Sequence, residues 1–178
     1  MYNKDIKDFS IEDLKKDLGI EKGDIDIVVG GPPCQGFSLT GPRNIEDERN
    51  KLYLAMIEAI KRYKPKAFVI ENVPGMATLY KGEVKKEIIK RLTAMGYEVN
   101  CQILCAADYG VPQMRKRLVF VGLKNGETFD FPAPTHTPDT YITCEQAIGD
   151  LPSLETSLGA DISEYEREPI TDYQRFMR

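Results

Sequence analysis

The sequence of 178 residues is short of several features, and each absence narrows what it can be. No stretch approaches the roughly 20 consecutive apolar residues that span a bilayer, and Met1 to Lys15 is too charged for a secretory signal. A cytoplasmic location is expected. Histidine occurs once, at His136, with no cysteine close by, and the four cysteines, Cys34, Cys101, Cys105 and Cys144, never fall at Cys-x-x-Cys spacing. No metal site is therefore expected. In a reducing compartment such thiols serve as small buried hydrophobes unless a local setting marks one out. A basic excess is missing too: the formal net charge of -4 argues against a surface that is wholly a platform for nucleic acid, and leaves only a local basic patch. There is no internal repeat and no low-complexity tract.

What is present reads as one domain of ordinary size, with 42% hydrophobic and 29% charged residues, close to a soluble globular average. Turn-forming residues divide it into alternating strand and helix patterns, which points to an α/β layer fold. The runs from Asp26 to Gly30 and from Ala67 to Asn72 are β-branched and nearly continuously apolar, as buried parallel strands are when helices cover both faces. Between them Leu52, Met56, Ala59 and Tyr63 recur at helical spacing, and Pro65 stops the pattern. Val84, Ile88, Leu92 and Met95 mark a second crossover helix, with Gly96 beyond it. Two further strands, Tyr97 to Ala106 and Leu118 to Leu123, are separated by a loop and not by a helix, so they are expected to be antiparallel and to make that edge of the sheet mixed. From Phe131 onward the chain is rich in Pro and Thr, and only Cys144 to Leu151 suggests a helix. One last absence concerns the cofactor: sheets of this type hold nucleotide-like ligands on a Gly-rich turn, and no G-x-G-x-x-G precedes Asp26.

The unusual local setting belongs to Cys34. Gly30-Gly31-Pro32-Pro33-Cys34-Gln35-Gly36-Phe37-Ser38 places a thiol just past the carboxyl end of a parallel strand, where open α/β sheets bind ligands. Two glycines permit close approach of a backbone or planar ligand, and two prolines stiffen the turn that presents the sulfur. Beside this stands the plain reading of a loop with a buried cysteine. Further along, Glu71-Asn72-Val73 ends the next strand, and Gln113-Met114-Arg115-Lys116-Arg117 precedes and enters the last.

The Pro-Cys-Gln segment, with the Glu-Asn-Val and Gln-x-Arg-x-Arg segments in that order, resembles the DNA cytosine-5 methyltransferases from about Asp5 to Leu151. The resemblance implies a partial Rossmann-like methyltransferase sheet, mostly parallel with an antiparallel edge strand and helices on both faces. A partial catalytic domain would occupy residues 1–130, and a linker or extension toward a target-recognition region residues 131–178. It implies that Cys34 attacks C6 of a cytosine flipped out of double-stranded DNA, that Glu71 protonates or hydrogen-bonds N3, that Arg117 contacts O2, and that Arg115 supports the catalytic loop. Gln35, Ser38, Asn72 and Gln113 fall in the substrate-contacting group, Asn72 by orienting the Cys34 loop through its backbone. The implied methyl donor is S-adenosylmethionine, with Asp5, Ile6, Pro33 and Leu52 as fragments of its site. The family's Gly-rich Phe-x-Gly-x-Gly segment would precede Asp5, so a complementary chain supplying missing motifs is an expected partner. Two alternatives stay open: a catalytically inert fragment or assembly subunit, and an RNA cytosine-5 methyltransferase of similar fold.

Overall fold

In the computed structural model, residues 10–33, 52–152 and 167–178 are described. The chain divides into two compact units, one comprising Met1–Leu104 and Lys116–Pro132, the other Cys105–Arg115 and Ala133–Arg178. No helix among the described residues is long and apolar enough to cross a membrane.

The first unit opens with α1 (Ile11–Leu18), a helix the hydrophobic pattern did not announce. Its ends carry the signal instead. Ser10 accepts a hydrogen bond from the Asp13 amide while the Asp13 carboxylate takes the Ser10 N–H, and Gly19 closes the helix in the left-handed region at φ 69°. Strand β1 (Ile27–Gly30), helix α2 (Leu52–Tyr63) and strand β2 (Ala67–Asn72) follow, then the short α3 (Gly75–Thr78), a 3-10 turn at Leu79–Gly82, α4 (Glu83–Thr93), β3 (Tyr97–Cys105) and β4 (Lys116–Lys124). After α2, Lys64 turns left-handed at φ 50° ahead of Pro65, and α4 unwinds through Ala94 to Gly96 at φ 85°.

The four strands form one mixed sheet in the order β1-β2-β4-β3. β1 and β2 are parallel, Ile27 opposite Ala67 and Gly30 opposite Ile70, whereas β2 and β4 are antiparallel, Asn72 opposite Leu118 and Ala67 opposite Leu123. The antiparallel strand thus lies inside this sheet and not at its edge as expected. Burial explains the choice. β4 carries a continuous run in which Phe120, Val121 and Gly122 are all buried, and only a strand flanked on both sides can use such a run. β3 carries exposed Glu98 and Gln102 and takes the outer position.

Helices on both faces were also expected. Among the described residues α2 and α4 share one face: Met56, Ile57 and Ile60 of α2 join Ile88 and Leu92 of α4 in a single cluster with Phe68, Ile70, Leu118 and Phe120. The connections from β1 to β2 and from β2 past β4 to β3 step the same way across the sheet, and connections of one hand then deposit their helices on one side. On the other face Ile27 and Val29 of β1 are 51% and 67% exposed. The core packs closely. The Phe68 ring meets Tyr97 edge-on at 5.1 Å and fills the space over Gly122, where an added Cβ would fall 2.1 Å from Phe68 Cε1. The Tyr97 hydroxyl, carried into the interior, donates to the Pro65 carbonyl at 2.7 Å.

The second unit holds two short helices, α5 (Cys144–Ile148) and α6 (Asp172–Met177), each opened by a threonine capping box, Thr143 with Gln146 and Thr171 with Gln174. Buried Asp150 accepts both guanidinium contacts of Arg178, at 3.1 and 2.7 Å.

Candidate active site

The parallel register of β1 and β2 decides the geometry. Because Gly30 lies opposite Ile70, the turn leaving β1 and the residues ending β2 come out side by side at the carboxyl edge of the sheet. Glu71 and Asn72, adjacent in sequence, then point to opposite faces. Asn72, only 3% exposed, donates from Nδ2 to the Pro32 carbonyl at 3.1 Å and accepts the Val73 amide on Oδ1 at 2.8 Å. It pins the turn two residues before Cys34 to the end of β2. Glu71 faces the other way and meets the same turn: a Cβ on Gly31 would lie 3.1 Å from Glu71 Oε2. Glycine at 31 is what lets the backbone pass the carboxylate so closely.

The second partner of Glu71 comes from a distant part of the chain. Val119 lies opposite Glu71, and Arg117, two residues earlier on β4, projects from the same face. Arg117 Nε reaches Glu71 Oε1 at 2.5 Å, and Arg117 Nη1 donates to the Lys116 carbonyl at 2.8 Å. The Glu71 and Arg117 side chains are 45% and 26% exposed, so the carboxyl group at this strand end is within reach of solvent. An ion pair this exposed adds only ~0–1 kcal/mol of stability, and its larger effect is to orient the carboxylate.

A cavity of about 480 Å³ opens beside the turn, lined by Val28, Val29, Gly30, Gly31, Pro32, Pro33, Leu52, Ala55 and Met56. Pro33 and Leu52, named from sequence for the methyl donor, meet in this one hollow. Met56 was legible only as part of the apolar stripe of a helix, and Ala55 was not singled out at all. A Cβ on Gly30 would crowd the Met56 sulfur at 2.9 Å, so the glycine there keeps the helix close to the strand. Among the described residues no charged side chain lines the cavity, and the wall they form suits a flat heterocycle or an alkyl chain.

Cys34, Gln35, Ser38, Asp5 and Ile6 lie outside the described residues. Gln113 and Arg115 are exposed and precede β4, so the alternation of a strand, which would put them on one side with Arg117, does not govern them. They belong to the second unit. Of the described cysteines, Cys105 is buried and Cys144 exposed, while burial pushes the Cys101 thiol up to about 11, which keeps it protonated and inert.

A pinned turn leading to a thiol, a carboxylate oriented by a guanidinium, and an apolar hollow alongside can be set beside known proteins. The C-5 cytosine-specific DNA methylase family matches residues 1–177. The type II methyltransferase M.AgeI of Thalassovita gelatinovora is 37% identical over 189 aligned positions, which cover 93% of this chain and 44% of that protein. The type II methyltransferase M.DdeI of Desulfomicrobium norvegicum is 41% identical over 169, covering 91% and 41%. The crystal structure of a candidate DNA modification methyltransferase encoded within an E. coli prophage superposes with a TM-score of 0.63 at 28% identity, over 84% of this chain and 41% of that one. The chain thus spans less than half the length of these two curated relatives.

Proposed function

The chain belongs to the C-5 cytosine-specific DNA methylase family, and from that premise we propose that it carries the catalytic centre for methylating C5 of a cytosine in DNA. The observation that supports this most is the convergence of the Gly31–Pro32 turn, Glu71, Asn72 and Arg117 at one sheet edge. Cytosine C5 is a poor nucleophile until a group adds at C6. The Cys34 thiolate forms a bond to C6, and the ring electrons pushed toward C5 are stabilised by a proton or hydrogen bond at N3. Glu71 serves that atom. Its Oε1 is held by Arg117 and its Oε2 lies toward the Gly31–Pro32 turn, so the carboxyl group stands beside the segment from which the sequence runs on to Cys34. After C5 has taken the methyl group, loss of the C5 proton and of the Cys34–C6 bond restores the ring.

S-adenosylmethionine supplies the methyl group as an electrophile, and the residues present fit such a donor: Pro33, Leu52 and Met56 offer an apolar wall for its flat base, next to the turn that presents the thiol. The substrate is duplex DNA with its cytosine flipped out of the stack, and a complementary chain or segment completes what these residues lack.

Incubation with duplex DNA containing 5-fluorocytosine and S-adenosylmethionine tests the proposal, because fluorine cannot leave C5 as a proton does and the covalent complex persists. The expected result is a protein–DNA adduct that disappears in Cys34→Ala. No adduct from the wild-type protein, alone or supplied with the remaining segments of a relative, would overturn it.

A further inference from the structure

The formal net charge of -4 leaves room for a local basic patch, and the first unit carries one. It lies at the amino end of β2, separated from the Glu71–Asn72 end by the length of that strand, roughly 17 Å. Helices α2 and α4 both stop here through a left-handed residue, Lys64 at φ 50° and Gly96 at φ 85°. The chain then turns away into β2 and β3, and a hollow of about 260 Å³ stays open between the two helix ends. Ile60, Met95 and Tyr97 give it an apolar wall. Among the described residues, every charged side chain that lines it is a lysine: Lys61, Lys64 and Lys124.

A cation beside the carbonyl end of a helix is favourable, and Lys124 fills that role: its Nζ donates to the Lys64 carbonyl at 2.9 Å and stands 5.1 Å from the centre of the Tyr97 ring. That uses one of three ammonium donors. Lys61 has Glu58 at 3.6 Å, with both side chains more than half exposed, whereas the Lys64 ammonium has no carboxylate partner among the described residues. Capping therefore explains one lysine and leaves a positive excess in the hollow. In agreement, burial and the like charges of Lys64 and Lys22 push the Lys124 ammonium below its ordinary range.

We propose that this hollow binds a small phosphate-bearing anion, held by Lys64 and Lys124 with Lys61 alongside. Lysine binds phosphate as a point charge, and several ammonium groups around one hollow match a multiply charged ion better than a single carboxylate. A DNA backbone is a row of phosphates that calls for a row of cations, whereas these converge. The site stands apart from the candidate active site, and its occupation does not depend on the methyl transfer proposed above.

Calorimetric titration of the full chain with inorganic pyrophosphate tests the proposal. Binding should saturate at one ion per chain in the sub-millimolar range. Lys64→Gln and Lys124→Met should each weaken it about tenfold, the scale of one hydrogen bond to a charged group, while Lys86→Gln, on the first turns of α4, should leave it within about twofold. Lys64 is exposed, so its variant keeps the test valid even where loss of the Lys124 bond unsettles the helix end. No saturable binding by the wild-type protein overturns the proposal, as does equal weakening by Lys86→Gln, which would reduce the effect to overall charge. Titration with a short duplex DNA separates the sources of phosphate: weaker DNA binding in Lys64→Gln, from a protein that takes up no pyrophosphate, would assign the lysines to the nucleic-acid backbone and overturn the small-anion site.

Discussion

Replacing Asn72 by alanine removes, in one step, the tie between the end of β2 and the turn that leads to Cys34. The side chain is 3% exposed and makes two hydrogen bonds, to the Pro32 carbonyl at 3.1 Å and from the Val73 amide at 2.8 Å. Each bond is worth about 1 kcal/mol net, and each partner left buried without another costs about 1–3 kcal/mol. Alanine leaves room for a water to satisfy one of the two, so a loss of about 2–4 kcal/mol is expected. With a urea slope of about 2 kcal/mol per molar, the unfolding midpoint of the first unit should fall by roughly 1–2 M. Tyrosine fluorescence follows the transition, and amide exchange at Val73 gives the local reading. The adduct with 5-fluorocytosine DNA should form more slowly as well, because a turn free to shift by an ångström forfeits much of its orientation. A variant that keeps its stability within about 0.5 kcal/mol and its Val73 protection would refute the reasoning, since Asn72 would then be holding nothing.

Gly31→Ala should leave stability within about 1 kcal/mol, because the added Cβ meets the mobile end of Glu71 at 3.1 Å, yet cut adduct formation about tenfold by displacing that carboxylate; equal adduct rates would show that the close pass does not matter. Gly122→Ala drives a methyl group into the Phe68 ring and should destabilise by about 1–3 kcal/mol, with Phe68→Leu recovering part of the loss in a double-mutant cycle. Simple additivity of the two would contradict it. Burial pushes the Tyr97 phenol up to about 12. The unfolded phenol ionises near 10, so the stability owed to the neutral group is complete below about pH 10 and lost as pH climbs through 12. Denaturation midpoints measured from pH 9 to 12 should fall less steeply in Tyr97→Phe, and parallel curves would exclude the effect. The Cys101 thiol, raised to about 11 by burial, should resist alkylation at pH 8 in the folded protein and react freely in urea; rapid modification without urea would place it at the surface.

Local chemistry made the elements readable. β2 runs from Ala67 to Asn72 as its apolar run and the following Pro74-Gly75 indicate, and α2 ends at Tyr63 because Pro65 cannot continue it. α1 went unread because eight residues give too little periodicity to count, although Ser10, Asp13 and Gly19 spell both its ends. The site was legible as residue types at strand ends, and its partners were not. Nothing local to Glu71 tells that Arg117, forty-six positions on, would take its Oε1, or that the group would be half exposed.

The sequence alone determined where strands end and helices turn, and so which residues stand at the carboxyl edge of a parallel pair: periodicity, prolines and glycines act over a few bonds and need no neighbour. The tertiary structure decided who meets whom. The inner position of β4, the sharing of one face by α2 and α4, the pairing of Glu71 with Arg117, and the meeting of Pro33 with Leu52 all depend on pairings between distant segments. Those follow from competition among strands for burial on both edges, a contest settled only when the whole sheet assembles.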